Sequence, residues 1–188
     1  FKQKTAYEIG VRLVGSEMCI RDRVLFARDG DRLLVHGSTG AGALRVAAAG
    51  APIALSVTLL DGLVYADSLF DSSANYRSAV VSGVAVVLIG EEAREALDRL
   101  SDALMPGRRA EVRQHLPKEL AATLTLALSI DDDNWTAKRR TGGPSVIEDP
   151  TVWSGVLPLH RSWSEPLPHP GMDAEVPPSV RALAGGPA

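Results

Sequence analysis

The chain holds a single cysteine in 188 residues, Cys19, so an intrachain disulfide and a thiolate metal site are both excluded. It has four lysines, two of them Lys2 and Lys4 at the very start, while arginine carries the rest of the positive charge. Aromatic residues make up 5%. No apolar run approaches the roughly 20 residues that cross a bilayer as a helix. No secretory leader is visible, which makes the cytoplasm the expected location. The formal net charge is −3. That balance argues against nucleic acid as a main partner and suits an ordinary globular protein of one domain.

Phe1 to Arg23 reads FKQKTAYEIGVRLVGSEMCIRDR and keeps neither a helical nor a strand period. It resembles the in-frame translation of a transposon-type sequencing adapter rather than any protein segment, and it is set aside for fold reasoning. Beyond residue 23, 15 basic residues stand against 20 acidic ones, and arginine and alanine dominate as in a GC-rich bacterial gene. The expected organisation is a leader at 1–23, one domain at 24–163 and a Pro-rich tail at 164–188.

Val24–Arg28 and Arg32–His36 are short β-type runs around Asp29-Gly30-Asp31, a strong hairpin signal because Gly tolerates positive φ. Gly37-Ser38-Thr39-Gly40 breaks the second run. Ala41–Ala49 reads as a short helix with Gly50 closing it. Pro52–Leu60 is nearly all apolar or β-branched, the pattern of a strand buried on both faces. Asp61-Gly62 then reads as a second hairpin turn, with Leu63–Ser68 as the return strand and Ala79–Ile89 as a long strand after a loop. From Gly90 an amphipathic helix carries Ala93, Ala96, Leu97, Leu100 and Leu104 on one stripe, with Glu91 and Glu92 at its positive end and Pro106-Gly107 as its stop. Arg108–Glu119 suggests a second helical piece. Thr123–Ile130 alternates as a strand, Asp131–Pro150 as a broken polar loop, and Val152–Leu159 as a last strand. Ser164 onward lacks periodicity and reads as a disordered or surface-draped tail. Antiparallel strands with two or three inserted helices give an α+β class built on a β-barrel.

The sharpest stretch runs from Leu60 to Gly83. It places Arg77 and Ser78 at the head of an apolar strand, a fixed cation beside a hydroxyl, which is what a phosphorylated cofactor requires. The competing assignment for Arg77 is a solvated side chain or an ion pair with Asp67 or Asp71. His36 stands before small residues that leave room for a planar ring, or else is a surface or core-edge histidine. Lys138, Arg139 and Arg140 form a basic run that reads either as a solvated loop or as a second anion contact. Trp153 fits a barrel plug better than a stacking platform.

These segments together resemble the FMN-binding split-barrel proteins of the pyridoxamine 5′-phosphate oxidase-like group, in the branch with the nitroimidazole-resistance reductases. Arg77 six residues before Gly83, Trp135-Thr136-Ala137-Lys138-Arg139-Arg140 and Trp153-Ser154-Gly155-Val156-Leu157-Pro158 carry the likeness. The resemblance implies an antiparallel split barrel, here lacking its first strands, and FMN as cofactor. It implies cofactor contacts from His36, Ser38, Thr39, Ser73, Asn75, Tyr76, Arg77, Ser78, Lys138 and Arg140, with the lysine reaching across a homodimer. It leaves open a flavin-dependent oxidoreductase of unknown substrate, a non-catalytic flavin, deazaflavin or haem protein, and a fragment that binds nothing. Two departures weaken the carry-over: Ala41-Gly42-Ala43 lacks the cation many relatives carry at that helix start, and Asp71-Ser72-Ser73 replaces a His-His-Ser segment.

Deleting residues 1–23 is expected to leave the thermal unfolding midpoint unchanged. A large drop in that midpoint would show the segment to be part of the fold.

Overall fold

The structure is a computed structural model that describes residues 22–145 and 147–185. The leader assignment therefore lies almost wholly outside the described residues. Eight strands form two antiparallel four-stranded sheets, with four α-helices and one 3₁₀ turn among the described residues. The first sheet orders its strands β1-β2-β6-β5: β1 is Phe26–Asp29, β2 Arg32–Ser38, β5 Val86–Leu88 and β6 Thr123–Ser129. The second orders them β7-β4-β3-β8: β3 is Pro52–Tyr65, β4 Ser73–Val84, β7 Trp135–Arg140 and β8 Gly155–Pro158. The helices are α1 (Gly42–Ala48), α2 (Gly90–Leu104), α3 (Pro117–Ala121) and α4 (Pro178–Ala184). This is the expected α+β split-barrel class, with the barrel left open. No helix among the described residues is long and apolar enough to cross a membrane.

The core follows from which side chains share a face. One face of the first sheet buries Ala27, Leu34, Leu88 and Ala127 under Ala96, Leu97 and Leu100 of α2. The opposite face buries Val35 and Leu126 against Leu44 and Ala47 of α1 and Ala85. Leu33, Leu128 and Val81 join the two sheets. The first hairpin turns at Gly30 (φ 59°), and α2 ends before Gly107 (φ 83°), as the sequence suggests.

Four sequence expectations need correction. Asp61-Gly62 is not a turn: β3 passes straight through it to Tyr65, and a β-bulge between Leu60 and Gly62 absorbs Asp61 as an extra residue. A hairpin at Asp-Gly needs positive φ, and Gly62 is not among the glycines that have it. Its lack of a side chain serves another end, since a Cβ there would sit 2.7 Å from the Leu157 carbonyl oxygen of β8. Second, β3 is not buried on both faces; burial alternates along it, so one face of the second sheet is bare. Third, the run to Ile89 is two strands. β4 starts at Ser73 and ends at Val84, and after the buried Ala85 the chain crosses to the first sheet as β5. Arg77 is therefore inside a strand, not at its head. Fourth, Asp131–Pro150 is not all loop. Its edge strand β7 alternates apolar and polar only over Trp135–Lys138 before two arginines, too short a stretch to mark a strand.

The Pro-rich segment also carries structure. Helix α4 docks through Ser179, whose N–H and hydroxyl donate to the Glu111 carboxylate at 2.9 and 2.6 Å. These bonds hold the Glu111 carboxyl below its usual range. The last expected strand is trimmed to Gly155–Pro158.

Gly62→Ala is expected to cost about 1–3 kcal/mol, because backbone must shift to admit the methyl group. The loss should appear as a lowered midpoint in chemical denaturation, with β8 gaining amide exchange first. An unchanged midpoint would mean that β8 is not seated on β3 as described.

Candidate functional site

The β4–β7 register decides which candidate residues meet. Tyr76 lies opposite Arg140 and Ser78 opposite Lys138, while Leu60 and Thr58 of β3 sit across from Tyr76 and Ser78. Cross-strand partners share a face. Tyr76, Ser78, Lys138 and Arg140 therefore come together on the outer face of the second sheet, which no helix covers among the described residues. Arg140 donates to the Ala74 carbonyl at 3.2 Å and so lies along this face. Downstream of the bulge the same face continues through Leu63, Tyr65 and Leu157, each exposed.

Alternation puts Ser73, Asn75 and Arg77 on the inner face. Arg77 lies opposite Leu59 and Arg139. Its guanidinium forks onto the bulge residue Asp61, with Nε and Nη2 donating to the two carboxylate oxygens at 2.9 and 2.8 Å. The partner is thus neither Asp67 nor Asp71. The Arg77 hydrogen bonds hold the Asp61 carboxyl below its ordinary value, and the charges of Arg77, Arg161 and Arg139 add to this. Asp67 instead accepts the backbone N–H groups of Asp149 (2.6 Å) and Glu148, which ties the loop after β3 to the loop before β8. Asn75 is buried; its amide donates to the Gly142 carbonyl at 3.0 Å, and its oxygen has no partner among the described residues.

The remaining candidates lie apart. Ser38 spends its hydroxyl on the Gly40 N–H (3.1 Å), and Thr39 donates its N–H to the Ala122 carbonyl (3.1 Å). His36 pairs with Thr125 on the face of β2 that also carries Leu34, toward α2 and away from the second sheet. Burial pushes its imidazole below the ordinary value, and the nearby His115 adds to that shift. His115 in turn approaches Asp98 at 3.7 Å, and Asp98 also receives Arg94 and Arg109. Expected contacts from His36, Ser38 and Thr39 are thus not assembled with those from β4 and β7. Trp153 is no barrel plug either: it is 67% exposed beside Tyr65.

A cleft of about 1080 Å³ opens between the sheets, lined by Phe26, Leu33, Leu55, Val57, Ala79 and Trp135, with Arg28 and Asp132 at its rim. Four consecutive β3 residues, Ala54 to Val57, line it. That marks a strand edge, because a strand face would contribute only alternate residues. Indeed β8 pairs only from Gly62 onward, so the first half of β3 is unpaired on that side. Sequence reasoning missed Asp61 and Arg161 as site residues, and it placed Arg139 in one run with Lys138 and Arg140, which the register puts on the other face. The grouping of Asp61, Arg139 and Arg161 depends on the bulge, and a bulge leaves no periodic signal.

The lowered His36 value has a definite sign in stability. A base whose folded value is depressed disfavours folding when protonated. Its contribution is complete above about 6.5, the unfolded value, and is lost as pH falls below it. The denaturation midpoint is expected to be lower at pH 5.5 than at pH 7.5, and His36→Gln should narrow the gap. An equal gap in the variant would assign the dependence to other groups.

A sequence profile described as pyridoxamine 5′-phosphate oxidase matches residues 24–137. No curated protein matches the chain. Among solved structures, one described as the FAD and heme binding protein from Mycobacterium smegmatis is 47% identical, with a TM-score of 0.80, covering 84% of this chain and 80% of that one. The flavocytochrome Anf3 from Azotobacter vinelandii is 32% identical, with a TM-score of 0.73, covering 84% and 75%. A 5-nitroimidazole antibiotic resistance protein from Bacteroides thetaiotaomicron is 19% identical over 61% and 64%, at a TM-score of 0.44, and no argument rests on it. With more than half of its length under the family profile and a relative of 47% identity over most of both chains, this chain belongs to the pyridoxamine 5′-phosphate oxidase family.

Proposed function

We propose that this chain binds a flavin nucleotide on the outer face of the second sheet, as one half of a homodimer. The observation that carries the reading is the register that sets Tyr76 beside Arg140 and Ser78 beside Lys138 on one uncovered face. Two hydroxyls and two cations there match the needs of a phosphate: charge, and donors that reach its oxygens. Lys138 and Ser78 take no side-chain hydrogen bond among the described residues, so they are available to it. The bare sheet face asks for cover, and a two-fold copy of the same face supplies it while sharing the cofactor.

The flavin, when bound, supplies the redox chemistry, and the protein supplies binding and orientation. FMN is the form implied by the sequence resemblance. One structural relative is an FAD and heme binding protein, which favours the dinucleotide. Arg77 has a different part: with its fork already closed on Asp61, it fixes the bulge, and it meets a phosphate only by giving up that carboxylate. That structural relative is also a heme binding protein, so haem stands as the second reading, and a Soret band beside the flavin band would bear it out. Turnover of the bound flavin with a reductant would make the protein an oxidoreductase; a flavin that stays oxidised under the same conditions would make it a carrier.

The visible spectrum of the purified protein should show the flavin band near about 450 nm. Lys138→Ala and Arg140→Ala should each weaken FMN binding by roughly ten- to a hundredfold, from about 1.5–3 kcal/mol per charge-assisted contact. Riboflavin, which has no phosphate, should bind these variants as it binds the wild type. If instead Arg77→Ala produces the phosphate-dependent loss and Lys138→Ala does not, the phosphate lies on the inner face. A monomer by light scattering that still binds flavin tightly would end the shared-site reading.

A further inference from the structure

Trp153 is both exposed and held. The turn before it is fixed by Val152 N–H donating to the Asp149 carbonyl (3.1 Å), and by the Thr151 N–H and hydroxyl donating to the Asp149 carboxylate (2.9 and 2.6 Å). The indole lies over Gly155, where a Cβ would meet its Cζ2 at 3.1 Å and its Cη2 at 3.3 Å. On a second side it meets Tyr65, with ring centroids 5.8 Å apart and planes tilted by 58°. The β3–β8 register sets Tyr65 opposite Gly155. The ring is thus seated against a glycine and braced by an aromatic neighbour, with 67% of the residue open. A side chain whose only task is to fill a core would not be pinned in this way on the surface. A pinned ring has already lost its rotamer freedom, so a planar ligand stacking on it meets little further entropic cost.

We propose that Trp153, braced by Tyr65, is a stacking platform for the adenine ring of a flavin dinucleotide. The assignment rests on the flavin reading above and says which flavin the site takes. Tyr65 shares the outer face with Tyr76, Ser78, Lys138 and Arg140, by the strand register on both sides of the bulge. From Leu60, level with Arg140, to Tyr65 the ladder advances four residues, the bulge residue adding none, or about 14 Å at a strand rise of ~3.4 Å per residue. An extended dinucleotide bridges such a gap, with its charged phosphates at the basic end and its neutral purine at the aromatic end. Leu63 and Leu157, exposed on the same face, keep the purine end apolar. FMN ends at its phosphate and has no group to reach Trp153.

The test measures dissociation constants of FAD and FMN side by side for the wild type, Trp153→Ala and Trp153→Phe. Base stacking on an aromatic side chain is worth roughly 1–3 kcal/mol on alanine substitution. At about 1.4 kcal/mol per decade, Trp153→Ala should weaken FAD by about five- to a hundredfold. FMN binding should stay unchanged, and Trp153→Phe should retain part of the FAD preference. Unchanged FMN affinity also serves as the control that the variant is folded. Equal weakening of both flavins, or no weakening of FAD, would overturn the platform while leaving the flavin reading in place. Dissociation of the dimer in Trp153→Ala would place the indole in the subunit interface and overturn it as well. A wild type that binds neither flavin would overturn both.

Discussion

The β3–β4 ladder is the constraint on which the rest of the molecule depends. Pro52 pairs with Val84 and Val64 with Ser73, so a single antiparallel hairpin runs the length of the second sheet. Both other strands of that sheet attach to it, β7 along β4 and β8 along β3. The inner side chains Leu55 and Val81 bring the first sheet against it. The hairpin's two faces therefore hold separate chemistry: packing and the Arg77–Asp61 pair on the inside, and Tyr76, Ser78, Lys138, Arg140 and Tyr65 on the outside.

Much of the fold was readable because it obeys simple periods. The stripe of Ala96, Leu97 and Leu100 marks α2, and the run Thr123–Ile130 marks β6. Asp29-Gly30 turns because Gly30 takes positive φ. The same dipeptide at Asp61-Gly62 misleads, because its glycine is chosen for the close approach of β8 instead. Local sequence cannot distinguish the two uses; only the Leu157 carbonyl does. Strand β7 was hidden for a related reason. An edge strand of six residues whose apolar alternation is confined to Trp135 and Ala137 and then ends in Lys-Arg-Arg is too short a pattern to reveal itself.

The site was legible in its residue types more than in its grouping. Resemblance pointed to Tyr76, Ser78, Lys138 and Arg140, and the register places those four together. It also pointed to Arg77, His36, Ser38 and Thr39, which the structure sends to other faces or other elements. A contact list from a motif contains no face information, because strand neighbours one residue apart point in opposite directions. Trp153 shows the converse. Its size suggested the interior, yet the glycine two residues on gave it a seat at the surface.

The bulge at Asp61 sets the parity of β3. Upstream of it, odd-numbered residues point inward; downstream, even-numbered ones do, which is how Leu59 and Val64 come to share a side. One residue thus acts as a switch between two otherwise incompatible numbering frames along a single strand. A relative that lacks Asp61 would keep the same faces, because Leu60 and Gly62 already pair with the adjacent β4 residues Tyr76 and Asn75; what it would lose is the carboxylate on which the Arg77 guanidinium closes. In comparing relatives, an alignment gap at this one position therefore marks chains whose inner-face arginine is left without its carboxylate, and so open to another anion.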